Sequence, residues 1–286
     1  MKQILICSNS DRAGGCEITQ LVCEKILSVT DKLKVFFPFR SAEEFKYQEL
    51  LCADVREELG RSGLLICLGG DGTLLYGSHL AAEADIPLLG INFGHKGFIA
   101  SLEPDELDML DGIIGGAFTI EERMMVSVRV VRGGATVFSD FGLNDVLVRS
   151  VSSHLIRPTV FCDGAIMSEF AGDGIIVATP TGSTAYSMAA GGPIVEPEAK
   201  NLIVTPICAH ALNARTIILG DNRTVTVSLK PSEGFNVVLS VDGKRDFAIE
   251  HGDSIEIKKS SHVTKLVNAT RRNYYEIVNK KLNIDL

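Results

Sequence analysis

The sequence lacks the excess of positive charge found in proteins that bind nucleic acid or anionic lipid. Its 286 residues include 28 Lys and Arg against 36 Asp and Glu, which gives a formal net charge of −8. Surfaces that bind phosphate backbones or charged membranes depend on clustered basic side chains. We therefore expect neither a nucleic acid nor a membrane as partner, and any anionic ligand must be bound by local groups.

Paired cysteines and long apolar runs are also missing. The seven cysteines are odd in number, scattered, and never spaced as C-x-x-C, which argues against a disulfide framework or a zinc ribbon. We interpret them as small buried hydrophobic residues. The apolar run near the N-terminus is too short for a signal peptide, and no stretch approaches the roughly 18 apolar residues of a spanning helix. These features predict a soluble, cytoplasmic protein.

Up to about residue 117 the sequence alternates short apolar runs with helical patterns, and we find no fixed-period repeat or low-complexity linker. This alternation is typical of a parallel sheet covered by helices. It predicts strands at 3–7, 33–37, 64–68 and 87–91, and helices at 16–29, 41–58 and 73–83. A capping box of Ser41 and Glu44 marks the start of the second helix. Residues 1–119 are therefore predicted to form an α/β domain with a Rossmann-like parallel sheet.

From about residue 119 the pattern changes to alternating, β-branched runs separated by Gly-Gly and Asp-Gly turns. The runs predict strands at 125–131, 136–141, 145–148, 156–161 and 224–229. Residues 120–269 are therefore predicted to form a mostly β domain. Apolar residues at helical spacing predict a last helix over about 270–286, and we allow for its packing back on the first domain.

A glycine-rich turn, Gly-Gly-Asp-Gly-Thr at residues 69–73, connects a predicted strand to a predicted helix. Glycine permits positive φ and close approach to a ligand, and the helix N-terminus attracts phosphate. The carboxyl end of a strand in an open α/β sheet is also where ligands usually bind. Neither a Walker loop nor G-x-G-x-x-G occurs here, so the ordinary P-loop and Rossmann sites are not predicted.

Asp71 is the unexpected residue of this turn. A carboxylate is electrostatically unfavourable beside phosphates unless it acts on a proton or a metal ion, so Asp71 is the candidate catalytic residue. The alternative is that Asp71 is a helix N-cap, since aspartate is favoured at that position.

The turn Gly69-Gly70-Asp71-Gly72-Thr73 resembles the signature shared by NAD kinases, 6-phosphofructokinases and diacylglycerol or sphingosine kinases. Further segments narrow the resemblance to the NAD kinase family, with order and spacing that fit over nearly the whole chain. These segments are Gly94-His95-Lys96-Gly97-Phe98, Asn144-Asp145, and the string from Gly172-Asp173-Gly174 through Thr179-Pro180-Thr181-Gly182-Ser183-Thr184-Ala185-Tyr186-Ser187 to Gly191-Gly192-Pro193. The resemblance implies a two-domain NAD kinase-like fold. It also implies transfer of the γ-phosphoryl group of ATP, or of another donor, to the 2′-hydroxyl of the adenosine ribose of NAD, giving NADP.

The resemblance also implies roles for individual residues. Asp71 would accept the proton of the 2′-hydroxyl, Asn144 and Asp145 would hold the adenine-ribose end, and Asp173 would face the nicotinamide half. The NAD- and ATP-binding residues that it implies are Gly69, Gly70, Gly72, Thr73, Phe98, Asn144, Asp145, His154, Asp173, Thr184, Ala185, Tyr186, Ser187, Ala189 and Lys244.

Several of these residues have a purely structural interpretation as well. Asn144-Asp145 would more often be an Asx turn before a strand, and residues 184–190 a short helix capped by Ser183. Phe98 would be a core residue, and His154 structural or idle. The sequence departs from the family pattern at Lys96, Ala171, Ala209 and Lys244.

The resemblance implies Mg²⁺ or another divalent cation, brought by ATP, and a homodimer or homotetramer as the assembly. Mg²⁺ typically uses few protein ligands, and no dedicated metal cluster is visible in the sequence. Two alternatives remain open at this point. One is a lipid or sugar kinase built on the same glycine-rich turn, and the other is a non-catalytic sensor that binds NAD or NADP.

Overall fold

The computed structural model describes residues 2–9, 15–39, 44–93, 99–211, 214–231, 234–269 and 274–282. The chain forms two compact units, one of Met1–Glu122 with Thr264–Leu286 and one of Arg123–Val263. The sequence had placed these limits a few residues away, after 119 and after 269. None of the described helices is long and apolar enough to span a membrane.

The helices are α1 (Gly15–Leu27), α2 (Val55–Arg61), α3 (Asp71–Glu83), α4 (Leu110–Ile114), α5 (Tyr186–Ala189) and α6 (Tyr274–Leu282), with 3-10 turns at Gln48–Leu50, Pro104–Met109 and Thr181–Thr184. The strands are β1 (Gln3–Ser8), β2 (Leu33–Phe36), β3 (Ser62–Gly69), β4 (Leu88–Asn92), β5 (Thr119–Arg132), β6 (Ala135–Gly142), β7 (Asp145–Ser150), β8 (Pro158–Cys162), β9 (Ala165–Glu169), β10 (Gly174–Ala178), β11 (Asn201–Ile207), β12 (Ile217–Gly220), β13 (Val225–Leu229), β14 (Val237–Val241), β15 (Phe247–Ile249) and β16 (Ser254–Asn268).

The first unit is built on a parallel sheet in the order β2-β1-β3-β4. The end of β16 continues this sheet beside β4, where Leu266 pairs with Leu88. Alternate residues of a strand point to opposite faces of a sheet, and helices pack on both faces of this one. Ile66 belongs to the core cluster that includes Val22 of α1, whereas the Sγ of its neighbour Cys67 lies against Gly77 of α3. The predicted α/β architecture of this unit is confirmed.

The helix predicted over residues 41–58 is wrong. Residues 48–50 form a 3-10 turn, and α2 begins only after Asp54, whose carboxylate accepts from the N–H groups of Arg56 and Glu57. Between them Leu51 forms a bridge with Val35, and the N–H of Cys52 donates to the carbonyl of Val35 at 3.0 Å. Pairing with β2 therefore prevails over the local helical pattern. Ser41, the proposed cap, lies outside the described residues.

The second unit is mostly β, as predicted, and contains two layers of antiparallel strands. One layer joins β5 with β6 and runs from β16 through β13 and β8 to β9. The other has the order β12-β11-β10-β7-β14-β15. Their inward residues share one core, for example Val160 and Val227 from the first layer and Val148 and Val177 from the second. Such alternation buries one face of each sheet.

All seven cysteines are free thiols. Cys7, Cys23 and Cys67 are buried, as expected for small hydrophobic residues, and burial raises the pKa of Cys23 to about 12. Cys208 is exposed, and Cys16, Cys52 and Cys162 are only partly buried, so the interpretation of every cysteine as a buried residue is wrong at these four positions. The helix predicted at the C-terminus is present as α6 within the described residues.

Candidate functional site

The turn at residues 69–73 joins β3 to α3 at the carboxyl end of an inner strand. β3 ends at Gly69 and α3 begins at Asp71. β3 lies between β1 and β4, while β2 lies on the far side of β1, so the strand order reverses between β1 and β3. Ligands of open parallel sheets bind at such a point, because the loops on either side diverge there.

Gly69 has no room for a side chain. A Cβ at this position would lie 2.8 Å from the Cβ of Thr73 and closer still to its hydroxyl oxygen. Thr73 is 2 % exposed, and its N–H donates to the carbonyl of Gly70 at 3.0 Å. The glycine therefore lets the turn fold tightly onto the start of α3.

The glycines of this turn do not use the positive φ that glycine permits. Gly70 has φ −96° and ψ −172°, which is extended backbone, and Gly69 and Gly72 also lie outside the positive-φ region. Gly72 is exposed, and a Cβ there would meet no described atom within 4 Å. The turn thus uses glycine for space, at Gly69 for packing of Thr73 and at Gly72 for an open approach to the helix start.

Asp71 is the first residue of α3, and its carboxylate does not cap the helix. The cap position belongs to Gly70, and no side chain supplies a capping hydrogen bond. Oδ1 of Asp71 is buried and has no hydrogen-bond partner within the described part of the chain. The N-cap interpretation is therefore wrong, and the structure leaves a buried carboxylate oxygen able to accept a proton.

In the second unit, Asn144 and Asp145 form a buried turn at the start of β7. Asn144 is 8 % exposed and Asp145 is 7 % exposed. The turn is bonded to residues 179–182: the N–H of Thr179 donates to the carbonyl of Asn144 at 2.8 Å, and the hydroxyl of Thr179 donates to the carbonyl of Leu143 at 2.6 Å. Two segments that are far apart in the sequence are thereby fixed against each other.

The side chain of Asn144 does not form the Asx turn considered from the sequence. Its Oδ1 is buried and finds no hydrogen-bond partner among the residues that the structure describes. An unpaired buried acceptor costs free energy unless a ligand supplies the donor. Asn144 is therefore a good candidate for binding a hydroxyl or amine donor.

Sequence reasoning missed Asp242, which holds this turn. Its Oδ2 accepts from the N–H of Leu143 at 2.6 Å, and its Oδ1 accepts from the N–H groups of Asn144 at 2.7 Å and Asp145 at 3.0 Å. The only signal in the sequence is an Asp-Gly pair, which predicts a turn but not the direction of the carboxylate.

Two carboxyl groups, those of Asp145 and Asp242, therefore lie near each other in a buried environment. Burial, and secondarily the charge of Asp242, raise the pKa of Asp145 to about 7. Burial also raises the pKa of Asp242, although the three N–H donors and the ammonium of Lys244 act in the opposite direction. The folded protein consequently holds a proton on Asp145 that the unfolded chain releases at lower pH.

We predict that Asp145→Asn raises the melting temperature of the unliganded protein at pH 8 by several degrees, and by less at pH 5. A raised pKa in the folded state means that stability is present below the unfolded pKa and is lost as pH rises through about 7. The neutral amide of asparagine removes this loss of stability. Scanning calorimetry at pH 5 and pH 8 measures the melting temperatures.

Asp163→Asn is the matched control for that experiment. The pKa of Asp163 is lowered by the N–H of Thr224 and by Arg223, so removing its charge should give no gain at pH 8. An equal gain for Asp145→Asn at pH 5 and pH 8 would contradict the assignment of a buried, charged Asp145.

The segment carrying Thr184 to Ala189 folds as a 3-10 turn followed by the short helix α5. Ser183 does not cap that helix, because its hydroxyl accepts from the N–H of Val195 at 3.0 Å and donates to the Val195 carbonyl at 3.2 Å. The cap position is Ala185, without a side-chain bond. The short helix expected within 184–190 is present at Tyr186–Ala189, but the predicted cap by Ser183 is wrong. The ring of Tyr186 is 44 % exposed. The hydroxyl of Ser187 is buried against that of Thr205 at 3.0 Å, Thr184 is partly buried, and Ala189 is exposed.

The predicted site residues of the second unit fall into two groups at opposite ends of β10. Asn144, Asp145 and the segment 181–189 gather at the Ala178 end, since Asp145 pairs with Ala178. Asp173 precedes the other end of β10 and is exposed. Five extended residues separate the ends by roughly 17 Å.

His154 lies on the side of Asp173. It is exposed, and its segment is bonded to the Gly-Asp-Gly string on both flanks: the N–H of Ser150 donates to the Asp173 carbonyl at 2.9 Å, and the N–H of Ile156 to the Gly172 carbonyl at 2.8 Å. The thiol of Cys208 is also hydrogen-bonded to Asp173, which raises the pKa of Cys208.

Lys244 follows the Asp242-Gly243 turn, and its ammonium lies 3.4 Å from both a carboxylate oxygen of Asp140 and the carbonyl of Phe141.

Phe98 and Lys96 lie outside the described residues. Among the described residues, no group of three or more His, Cys, Asp or Glu is arranged to hold a metal ion.

In a comparison with known proteins, the two halves of the chain match two domains of the same protein family. Residues 15–116 match the ATP-NAD kinase N-terminal domain, and residues 143–269 match the ATP-NAD kinase C-terminal domain. A NAD kinase of Natranaerobius thermophilus is 37 % identical over 285 residues, which cover 99 % of this chain and 98 % of that protein. A NAD kinase of Carboxydothermus hydrogenoformans is 40 % identical over 232 residues, or 80 % of this chain and 82 % of that protein.

Solved structures show the same fold. The crystal structure of yeast NADH kinase complexed with NADH has a TM-score of 0.86 and 23 % identity, covering 100 % of this chain and 89 % of that one. An Archaeoglobus fulgidus NAD kinase in complex with ATP has a TM-score of 0.73 and 22 % identity, with both chains fully covered.

Proposed function

This chain belongs to the NAD kinase family, and from that premise we propose its reaction in full. The enzyme transfers the γ-phosphoryl group of ATP to the 2′-hydroxyl of the adenosine ribose of NAD, giving NADP and ADP. The bond between the ribose oxygen and phosphorus forms as the bond from phosphorus to the ADP oxygen breaks. The hydroxyl proton must leave during this step, so the site needs a base.

The observation that carries the proposal is the buried Oδ1 of Asp71, which has no hydrogen-bond partner among the described residues. It stands at the start of a helix, directly after a turn at the carboxyl end of an inner strand. A carboxylate with a free acceptor oxygen can take the proton of the 2′-hydroxyl as the oxygen attacks phosphorus. The partial positive charge of the helix start, together with the open backbone at Gly72, favours the phosphate groups of the nucleotide.

On the acceptor side, we assign Asn144 and Asp145 to the adenosine ribose and adenine. The Oδ1 of Asn144, which has no partner in the described part of the chain, supplies an acceptor for a hydroxyl or amine donor. Thr184, Ala185 and the exposed ring of Tyr186 border the same end of β10, where an aromatic ring offers a stacking surface for a base. Asp173 and His154, at the other end of the strand, are assigned to the nicotinamide half and the phosphates.

Among the described residues no group of three or more His, Cys, Asp or Glu could hold a metal ion, and a metal that arrives with the triphosphate needs few protein ligands. Mg²⁺ or another divalent cation, when bound, neutralises charge that develops on the transferred phosphoryl group. Asp71 is the residue of this turn whose carboxylate would approach it.

We place the enzyme in the cytoplasm and expect a homodimer or homotetramer, as the family resemblance implies. Closed symmetric assemblies of this kind are the commonest oligomers of soluble enzymes. Size-exclusion chromatography with light scattering separates a dimer from a tetramer.

The test of the acceptor uses γ-labelled ATP and Mg²⁺ with NAD, diacylglycerol or fructose 6-phosphate offered separately. We expect label in the NAD reaction alone. Label in the lipid or the sugar phosphate would identify a different kinase built on the same turn. Binding of NAD without any transfer would identify a non-catalytic sensor.

A further inference from the structure

Asp242 lies in a tight turn at the end of β14. Asp242 and Gly243 have φ of 50° and 66°, and the N–H of Lys244 closes the turn on the carbonyl of Val241 at 2.9 Å. Positive φ at both central residues is characteristic of a type I′ turn. The side chain of Asp242 is thereby fixed at a defined place beside the start of β7.

The carboxylate of Asp242 binds three consecutive backbone N–H groups, those of residues 143–145. The distances are 2.6, 2.7 and 3.0 Å. The bond is reciprocated, because the N–H of Asp242 donates to the carbonyl of Asp145 at 3.0 Å. Hydrogen bonds to an ionised acceptor are stronger than those between neutral groups, so this carboxylate determines the path of the backbone at Asn144.

We propose that Asp242 is a positioning residue of this enzyme: its carboxylate fixes the turn 143–145 so that the amide of Asn144 and the carboxyl of Asp145 stay directed at the nucleotide. This rests on the function proposed above. Asp242 itself contacts no ligand in this account.

The environment of Asp242 is electrostatically unfavourable for a carboxylate. It is placed near the buried carboxyl of Asp145, and burial raises the pKa of both groups. A neutral side chain would avoid this unfavourable pair but would offer one acceptor oxygen in place of two. Natural proteins retain such unfavourable groups where function requires them.

The test is the affinity for NAD of Asp242→Asn, measured by calorimetry, which does not depend on turnover. We expect the dissociation constant to rise about tenfold or more, since at least one charge-assisted hydrogen bond to the turn is lost. Asp163→Asn is the matched control. Asp163 also begins an Asp-Gly turn, with φ 49°, and also accepts a backbone N–H, that of Thr224 at 2.9 Å, but it should leave NAD affinity unchanged.

A second measurement distinguishes positioning from a general structural role. The groups that face Asp145 and Asp242 are each other and Lys244, whose ammonium also lies near Asp140. Removing the charge of Asp242 should lower the pKa of Asp145. The fall in NAD affinity at acid pH, which is the acid limb of the binding profile, should therefore occur at lower pH in Asp242→Asn. A purely structural loss would leave the limb in place.

If Asp242→Asn does not fold, Asp242→Glu keeps the charge but is one methylene longer, and its NAD affinity serves instead. An affinity for NAD equal to wild type in a folded Asp242 variant would overturn the proposal. A wild-type protein that binds NAD but forms no NADP would refute the proposed reaction while leaving the Asp242 comparison valid.

Discussion

Asp71→Asn should lower kcat for NADP formation by at least about 10²-fold, the lower end of what a positioned general base contributes. The substitution keeps the shape of the side chain and removes the oxygen that accepts the proton. Because Oδ1 of Asp71 is buried and unpartnered among the described residues, its loss breaks no hydrogen bond to any of them. The dissociation constant for NAD should therefore stay within about threefold of wild type, which is the signature of an interaction made in the transition state.

Asp54→Asn is the control for this experiment. Asp54 also stands at a helix start, but its carboxylate caps α2 by accepting from the N–H groups of Arg56 and Glu57. Asparagine caps about as well as aspartate, so this variant should retain full activity. If Asp71→Asn kept its turnover, or if it lost NAD binding to the same degree as turnover, Asp71 would not be the base.

Gly182→Ala should abolish detectable NAD binding and lower the stability of the second unit by about 3 kcal/mol. A Cβ at this position would lie 2.5 Å from the carbonyl carbon and 2.7 Å from the Cα of Asn144, and closer still to the carbonyl oxygen. All three atoms are backbone and cannot move aside as a side-chain tip would. The alanine must therefore separate the segment 179–184 from the turn that presents Asn144.

Gly60→Ala provides the comparison for that variant. Gly60 lies within α2, and a Cβ there would meet no described atom within 4 Å, so alanine should be neutral or slightly stabilising. Thermal unfolding and NAD titration of both variants measure the two effects. Normal NAD affinity in Gly182→Ala would show that the close packing of Gly182 on Asn144 is not needed to form the site.

The features predicted best from the sequence were those that depend on residues close together in the chain. The parallel strands of the first unit were predictable because each is a short apolar run, and the glycine-rich turn was predictable because it follows one of them. The helix expected over 41–58 failed because Leu51 and Cys52 pair with Val35 of β2. Tertiary pairing of this kind overrides local propensity and leaves no trace in helical periodicity.

The residues of the candidate site could be predicted from the sequence, but the contacts that hold them in place could not. Asp71 and Asn144 were named from their motifs, but the sequence does not show that neither side chain caps its own backbone. Asp242 lies 97–99 residues from the N–H groups that it binds. Only the fold brings them together, so no local pattern points to it. The glycines of residues 69–72 provide space rather than positive φ, and the sequence alone does not distinguish these two uses of glycine.

The most direct test of the account is the formation of NADP by the purified wild-type protein from NAD, ATP and Mg²⁺, coupled to an NADP-specific dehydrogenase. Such a dehydrogenase reports the 2′-phosphate and no other phosphorylated product. The proposed reaction requires steady NADP formation that depends on both nucleotides. A folded protein that binds NAD and consumes no ATP, or that consumes ATP without forming NADP, would contradict it.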